Sequence, residues 1–143
     1  MPRRRPSALR AHSWASPRSH RPLPEVPGIS SRTRAAIARI EFEHQYLWPG
    51  AVAEALAEYR QFLRQPGRYL YVSNPDCPFC YPVEARDTLE HALRRLRHPA
   101  RTELSRITAK LDEELQRRTL PDPRPRLPSG PFDGWWYHRL YEQ

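Results

Sequence analysis

The sequence predicts a small, mainly α-helical protein of about four helices, with a Cys-x-x-Cys knuckle or turn after a short extended segment and a disordered basic arm at its N-terminus. Three observations carry that prediction. Apolar residues recur at three- and four-residue steps in four stretches between residues 31 and 119, the period of a helix with one buried face. Prolines gather at the ends, six of the 17 in residues 1–30 and five in residues 121–131, where they oppose regular structure. The charge is also lopsided: only Glu25 offsets nine arginines in residues 1–40, whereas residues 41–143 carry 15 basic and 15 acidic side chains. The net charge of +8 is therefore that of the first 40 residues. The chain divides into that arm (1–30), a helical domain (31–120), and a proline-rich strap with an aromatic tail (121–143).

The first helix is expected over residues 31–48, with Ala36, Ile37, Ile40, His44 and Leu47 on one face and Ser30 or Ser31 as its cap. Pro49 and Gly50 interrupt it. A second covers residues 51–65, striped by Val52, Leu56, Tyr59 and Leu63 and stopped by Pro66-Gly67. Residues 69–72 read as a short strand or extended piece, and Asn74-Pro75-Asp76 is a turn signal that delivers the chain to Cys77. A third helix spans 83–97 with Leu89, Leu93 and Leu96 inward, and Pro82 suits a helix start, where no amide donor is needed. His98-Pro99 makes a very short connection to a fourth helix over 100–119, carrying Leu104, Ile107, Leu111 and Leu115. Helices joined so tightly pack side by side as an antiparallel hairpin. The acidic run Asp112, Glu113, Glu114 is expected on its solvated face. Near the C-terminus, Asp133 as a cap with Trp136 and Leu140 four residues apart suggests a short amphipathic helix that docks on the hairpin.

Cys77 and Cys80 are the only cysteines, and three uses of Cys-Pro-Phe-Cys stand open: a redox dithiol, half of a metal site, or a turn with two small buried thiols. A zinc site needs four ligands, and Cys77 and Cys80 supply two in knuckle spacing. His91 and His44 are the histidine candidates, with Asp87 and His98 as substitutes. His91 and His98 stand two helical turns apart, on the order of 10 Å, so one ion cannot easily take both. His91 points away from the leucine face, beside Asp87 and Arg95, whereas His44 is carried on the apolar face of the first helix. A homodimer could instead bring together four thiolates. Two cysteines without a disulfide framework favour a reducing cytoplasm.

Two resemblances attach to these residues. "YLYVSNPDCPFC" followed by a helix resembles the active-site segment of glutaredoxins over residues 69–96, which implies Cys77 as nucleophile and Cys80 as resolving thiol. A thioredoxin-like sheet needs further strands after that helix, whereas residues 84–119 read as two consecutive helices. Over residues 77–136, the order Cys-x-x-Cys, leucine-rich helical pair, "RTLPDP" and a tryptophan pair resembles small actinobacterial proteins without assigned activity. That resemblance implies a shared scaffold and no particular chemistry.

Function classes are bounded by what the chain carries. Arg3, Arg4, Arg5 and Arg10 begin an arm that can displace counterions from nucleic acid. With 23 arginines against one lysine, Lys110, part of that content also fits GC-rich codon usage. Trp135, Trp136, Tyr137 and Tyr141 can anchor a protein partner or pack back on the hairpin. No apolar run reaches the roughly 18 residues of a membrane span, and the N-terminus lacks the apolar centre of a secretory signal. Phosphate loop, dinucleotide fingerprint and His-Glu-x-x-His signatures are absent from the sequence. The expectation is a non-enzymatic accessory or regulatory binding protein, zinc-stabilised if a metal is held, that contacts nucleic acid or a protein partner. The alternative is a thiol–disulfide oxidoreductase acting through Cys77 and Cys80.

Overall fold

A computed structural model describes residues 23–72, 82–124 and 131–141. It is mainly helical: α1 (Ser31–Glu43), α2 (Ala51–Leu63), α3 (Pro82–Arg95) and α4 (His98–Arg117). A two-residue strand β1 (Leu120–Pro121), a 3-10 turn at Trp135–Tyr137 and a second strand β2 (Arg139–Leu140) follow. Cys77 and Cys80, like Arg3, Arg4, Arg5 and Arg10, lie outside the described residues, as does the Asn74-Pro75-Asp76 turn.

Residues 23–30, assigned to the arm by their prolines, belong in part to the body. Val26 and Ile29 are buried in the core. Ser30 caps α1, its Oγ accepting from the Thr33 amide at 3.2 Å, and its own amide and hydroxyl donate to Glu103 of α4 at 2.7 and 2.8 Å. A proline-rich composition misses this because two apolar side chains suffice to anchor so short a segment.

The first helix ends at Glu43, five residues before the expected limit of 48. His44 leaves the helical region (φ −108°, ψ 131°), and Trp48 is disfavoured in a helix because Pro49 follows it. The early stop lets buried Glu41 cap the next helix: its two carboxylate oxygens accept from the Gly50 and Val52 amides, each at 2.9 Å. Gly50 sits at φ 88°, and a Cβ there would meet the Pro24 ring at 3.2 Å, so glycine serves both the turn and the packing.

The α2 helix is central. Val52, Leu56, Tyr59 and Leu63 are buried along it as expected, and its largest contact is with α3, which buries Ala85, Leu89 and Ala92. Alanines on both helices leave room for a close approach. Leu56, Leu89, Leu104 and Leu115 are fully buried, each contributing about 1.5–3 kcal/mol. The end of α2 is closed by Arg118, whose guanidinium donates to the carbonyls of Leu63 and Gln65, both at 2.6 Å, and Gly67 at 3.0 Å. Beyond it, Leu70 and Val72 point inward while Tyr69 and Tyr71 face out, the alternation of an extended chain. The Leu70 amide donates to the Arg118 carbonyl at 3.2 Å.

Only Leu96 and Arg97 separate α3 from α4, and Pro99 lies in the first turn of α4. The antiparallel hairpin is visible in the pairing of Arg86 of α3 with Asp112 of α4 across that connection. The tail departs from the expected amphipathic helix. Asp133 caps nothing; it faces His138 at 3.2 Å. Leu140 is exposed in β2, antiparallel to β1 with Leu120 opposite Leu140. Gly134 makes the 3-10 turn possible, since a Cβ there would stand 2.4 Å from the Trp136 ring. Apart from this pair, the described residues contain no further sheet, and none of the strands a thioredoxin-like fold requires is present among them.

Candidate functional site

One helix, α3, carries two clusters of polar side chains, one along each half. Along its first half, Arg86 is almost wholly buried, its side chain 8% exposed. Its Nε donates to both Asp112 oxygens at 3.0 and 3.2 Å, and its Nη1 to Glu90 at 3.1 Å. The Tyr59 hydroxyl of α2 donates to the same Asp112 oxygen at 2.9 Å, so three helices meet at one carboxylate. Asp112 is thus turned inward, not onto the solvated face its acidic neighbours suggested. Burial pushes its pKa up against the opposing pull of Arg86 and Tyr59, and burial followed by Asp112 drives the Tyr59 phenol far above its ordinary range. For Glu90, burial works the other way, but hydrogen bonds from Arg94 and Arg86 outweigh it and lower the pKa.

The tail closes over the same half. Asp87 accepts from Trp136 Nε1 at 2.8 Å and from the Tyr137 hydroxyl. Arg86 lies 4.1 Å from the centre of the Trp136 ring, a cation–π contact in a desolvated position. Burial raises the Asp87 pKa, offset by the bonds from Tyr137 and Trp136. Trp135 and Tyr141 are also engaged, by Arg139 and by the edge of Phe62. The four tail aromatics are thus held within the chain, which is the docking alternative of the sequence reading.

The second half of α3 has a different character. His91 stacks on Tyr46 with ring centres 5.5 Å apart and 19° between planes, and meets the edge of Phe132 at 4.5 Å. Arg94 lies over the other aromatic neighbour, 4.4 Å from the Phe132 centre. The result is a continuous run, Tyr46–His91–Phe132–Arg94, whose middle is covered and whose ends are open: Tyr46 is 60% exposed and the Arg94 side chain 59%. Arg95 lies alongside, donating from Nε to His44 Nδ1 at 2.8 Å and contacting His91 Nδ1 at 3.3 Å. Burial first, then the Arg95 charge, lowers the His91 pKa.

The sequence therefore picked two residues of this region, His44 and His91, and the fold brings them together. It does so around a guanidinium: both Nδ1 atoms face Arg95, so a metal would have to be met through Nε2. His91 is half-buried rather than solvent-facing. His98 is exposed at the start of α4, and Asp87 is occupied by the tail. Among the described residues no group of three His, Cys, Asp or Glu is placed to hold a metal.

Sequence reasoning missed the aromatic stretch at the end of α1 and in the loop that follows. Phe42 is 86% exposed and Trp48 51%, on either side of Tyr46. Trp48 is nevertheless oriented, because its indole Nε1 donates to Glu54 at 2.8 Å. The signal was available: Phe42 and Tyr46, four residues apart, lie opposite the stripe of Ile37, Ile40 and Leu47, and aromatics on the polar side of a helix call for an explanation. Arg97 and Arg101 are exposed at the corner between α3 and α4, where Arg101 Nε donates to the Leu96 carbonyl at 3.1 Å. The first turn of α4 carries no acidic residue.

No protein-family model matches the chain, nor does any curated protein or solved structure. Among the described residues no helix is long and apolar enough to cross a membrane.

Proposed function

We propose that this chain is a non-enzymatic, cytoplasmic accessory or regulatory protein that binds nucleic acid. The observation that carries the reading is the outward aromatic stretch at Phe42, Tyr46 and Trp48, joined through His44, His91 and Phe132 to Arg95 and Arg94 of α3. Aromatic faces and guanidinium groups together suit bases and phosphates, and the arginines of residues 1–22 extend the same charge. A tail-anchored protein partner is less favoured, because Trp136 and Tyr137 are already tied to Asp87.

Within this reading Cys77 and Cys80 hold a structural zinc, with the two thiolates of a second copy completing the shell, since His44 and His91 both turn Nδ1 to Arg95. Its role is to fix the start of the helix that carries the surface. Metal analysis with a free-thiol count tests that part: stoichiometric zinc with protected thiols supports it, and a reversible disulfide with a reactive Cys77 moves the chain to the oxidoreductase class.

Affinity for labelled oligonucleotides over a salt series tests the binding itself. The full chain is expected to bind with a logarithmic affinity that falls linearly with logarithmic salt, and a chain starting at residue 23 to lose most of that affinity and slope. The truncation stops there because Val26 and Ile29 belong to the core. Absence of binding at low salt by the full chain overturns the proposal.

A further inference from the structure

We infer that the run Tyr46–His91–Phe132–Arg94, flanked by Phe42 and Trp48, is a stacking platform for single-stranded nucleic acid. The inference rests on the nucleic-acid reading above and adds to it a place and a class of ligand.

The geometry argues for unpaired bases. A flat ring bound on one side presents its other face, and Tyr46 is held so, backed by the His91 imidazole and exposed outward. His91 is itself backed by buried Phe132, and Phe132 by Arg94. Each member therefore fixes the orientation of the next, so little rotamer freedom remains to be lost when a base stacks. Trp48 adds a second broad ring, anchored through Glu54 while half its surface stays open. Phe42, the most exposed of the three, stands two residues from His44, which accepts from Arg95.

The surrounding charge selects a polyanion. Arg94 is exposed at the end of the run and Arg95 partly so beside it, and Arg97 and Arg101 are exposed at the turn that follows α3. The acids nearby are few and mostly engaged: Glu90 is taken by Arg86 and Arg94, Glu54 by Trp48, and buried Glu41 by the start of α2. Glu43 and Asp133 are exposed acids at the margin. Duplexes keep their bases stacked on one another and offer phosphates alone to such a surface, whereas single strands can lay bases on aromatic rings and phosphates against arginines.

The test is fluorescence anisotropy with the full chain and a labelled 12-nucleotide polypyrimidine strand, beside a duplex of equal length, at low salt. Tyr46→Ala and Trp48→Ala are each expected to weaken single-strand binding by roughly five- to a hundredfold, the range of one lost base stack, and to leave duplex binding within about twofold. Arg97→Ala with Arg101→Ala should weaken both and flatten the salt dependence. Circular dichroism and thermal melting verify that each variant is folded. Single-strand affinity unchanged in the Tyr46→Ala, Trp48→Ala double variant overturns the platform while leaving the arm-mediated reading intact. A wild-type chain that binds neither ligand overturns both.

Discussion

The two halves of α3 treat charge in opposite ways. In the first, Arg86 and Asp87 are sealed beneath α4 and the tail, each matched by partners up to 50 residues away in sequence. In the second, Arg94 and Arg95 meet imidazole and aromatic rings, and the surface beside them stays open. Both halves draw on the same residue types. What separates them is the covering layer: α4 and Trp136 lie over one, whereas the loop after α1 borders the other with rings that face solvent. Buried charge in the first half builds the scaffold, and half-exposed charge in the second borders the surface proposed to meet a ligand.

The sharpest way to break the first half is Arg86→Ala. It leaves Asp112 buried without its cation, and the expected loss is about 3–5 kcal/mol, read by urea denaturation as a lower midpoint at an unchanged slope. A smaller effect is expected of Gly134→Ala. The new Cβ cannot coexist with the Trp136 ring 2.4 Å away, and that ring is fixed by Asp87 and Arg86, so the tail must shift at a cost of about 1–3 kcal/mol. Tryptophan emission should move to the red as Trp136 loses its 5% exposed position.

These variants also mark what was legible in the sequence. Four helices were, because Leu89, Leu104, Leu115 and Val52 repeat with the helical period and local period alone decides the element. Helix limits were read less well: Glu41 reaches forward to cap α2, and no local pattern announces a carboxylate acting nine residues ahead. Asp112 was read as solvated because its neighbours Glu113 and Glu114 are acidic; its partners, Arg86 and Tyr59, come from helices that only the folded chain brings near. The tail was misread as a helix because Gly134 and the strand pairing with Leu120 decide its path, and neither belongs to a helical period. Of the candidate surface, His44 and His91 were marked as ligands, while Tyr46 passed unnoticed even though it stacks on one of them.

The smallest expected effect concerns the second half. Its fold holds the His91 pKa below the ordinary 6.5, through burial and then Arg95. Between the two values the unfolded chain binds the proton more readily, so the His91 contribution is complete above pH 6.5 and is lost as pH falls from there through the folded value. Thermal melts from about pH 7.5 down to about 5 should show a steeper decline for wild type than for His91→Gln, the difference between the two curves isolating this group.

The contrast between the halves is tested most directly by ultraviolet cross-linking of the full chain to a single-stranded oligonucleotide, with the linked residues identified by mass spectrometry. The account predicts cross-links at Tyr46 and Trp48, with Phe42 as a third position, and protection of Trp136. Cross-links confined to the tail aromatics Trp135, Trp136 and Tyr137, with none at Tyr46 or Trp48, would contradict it.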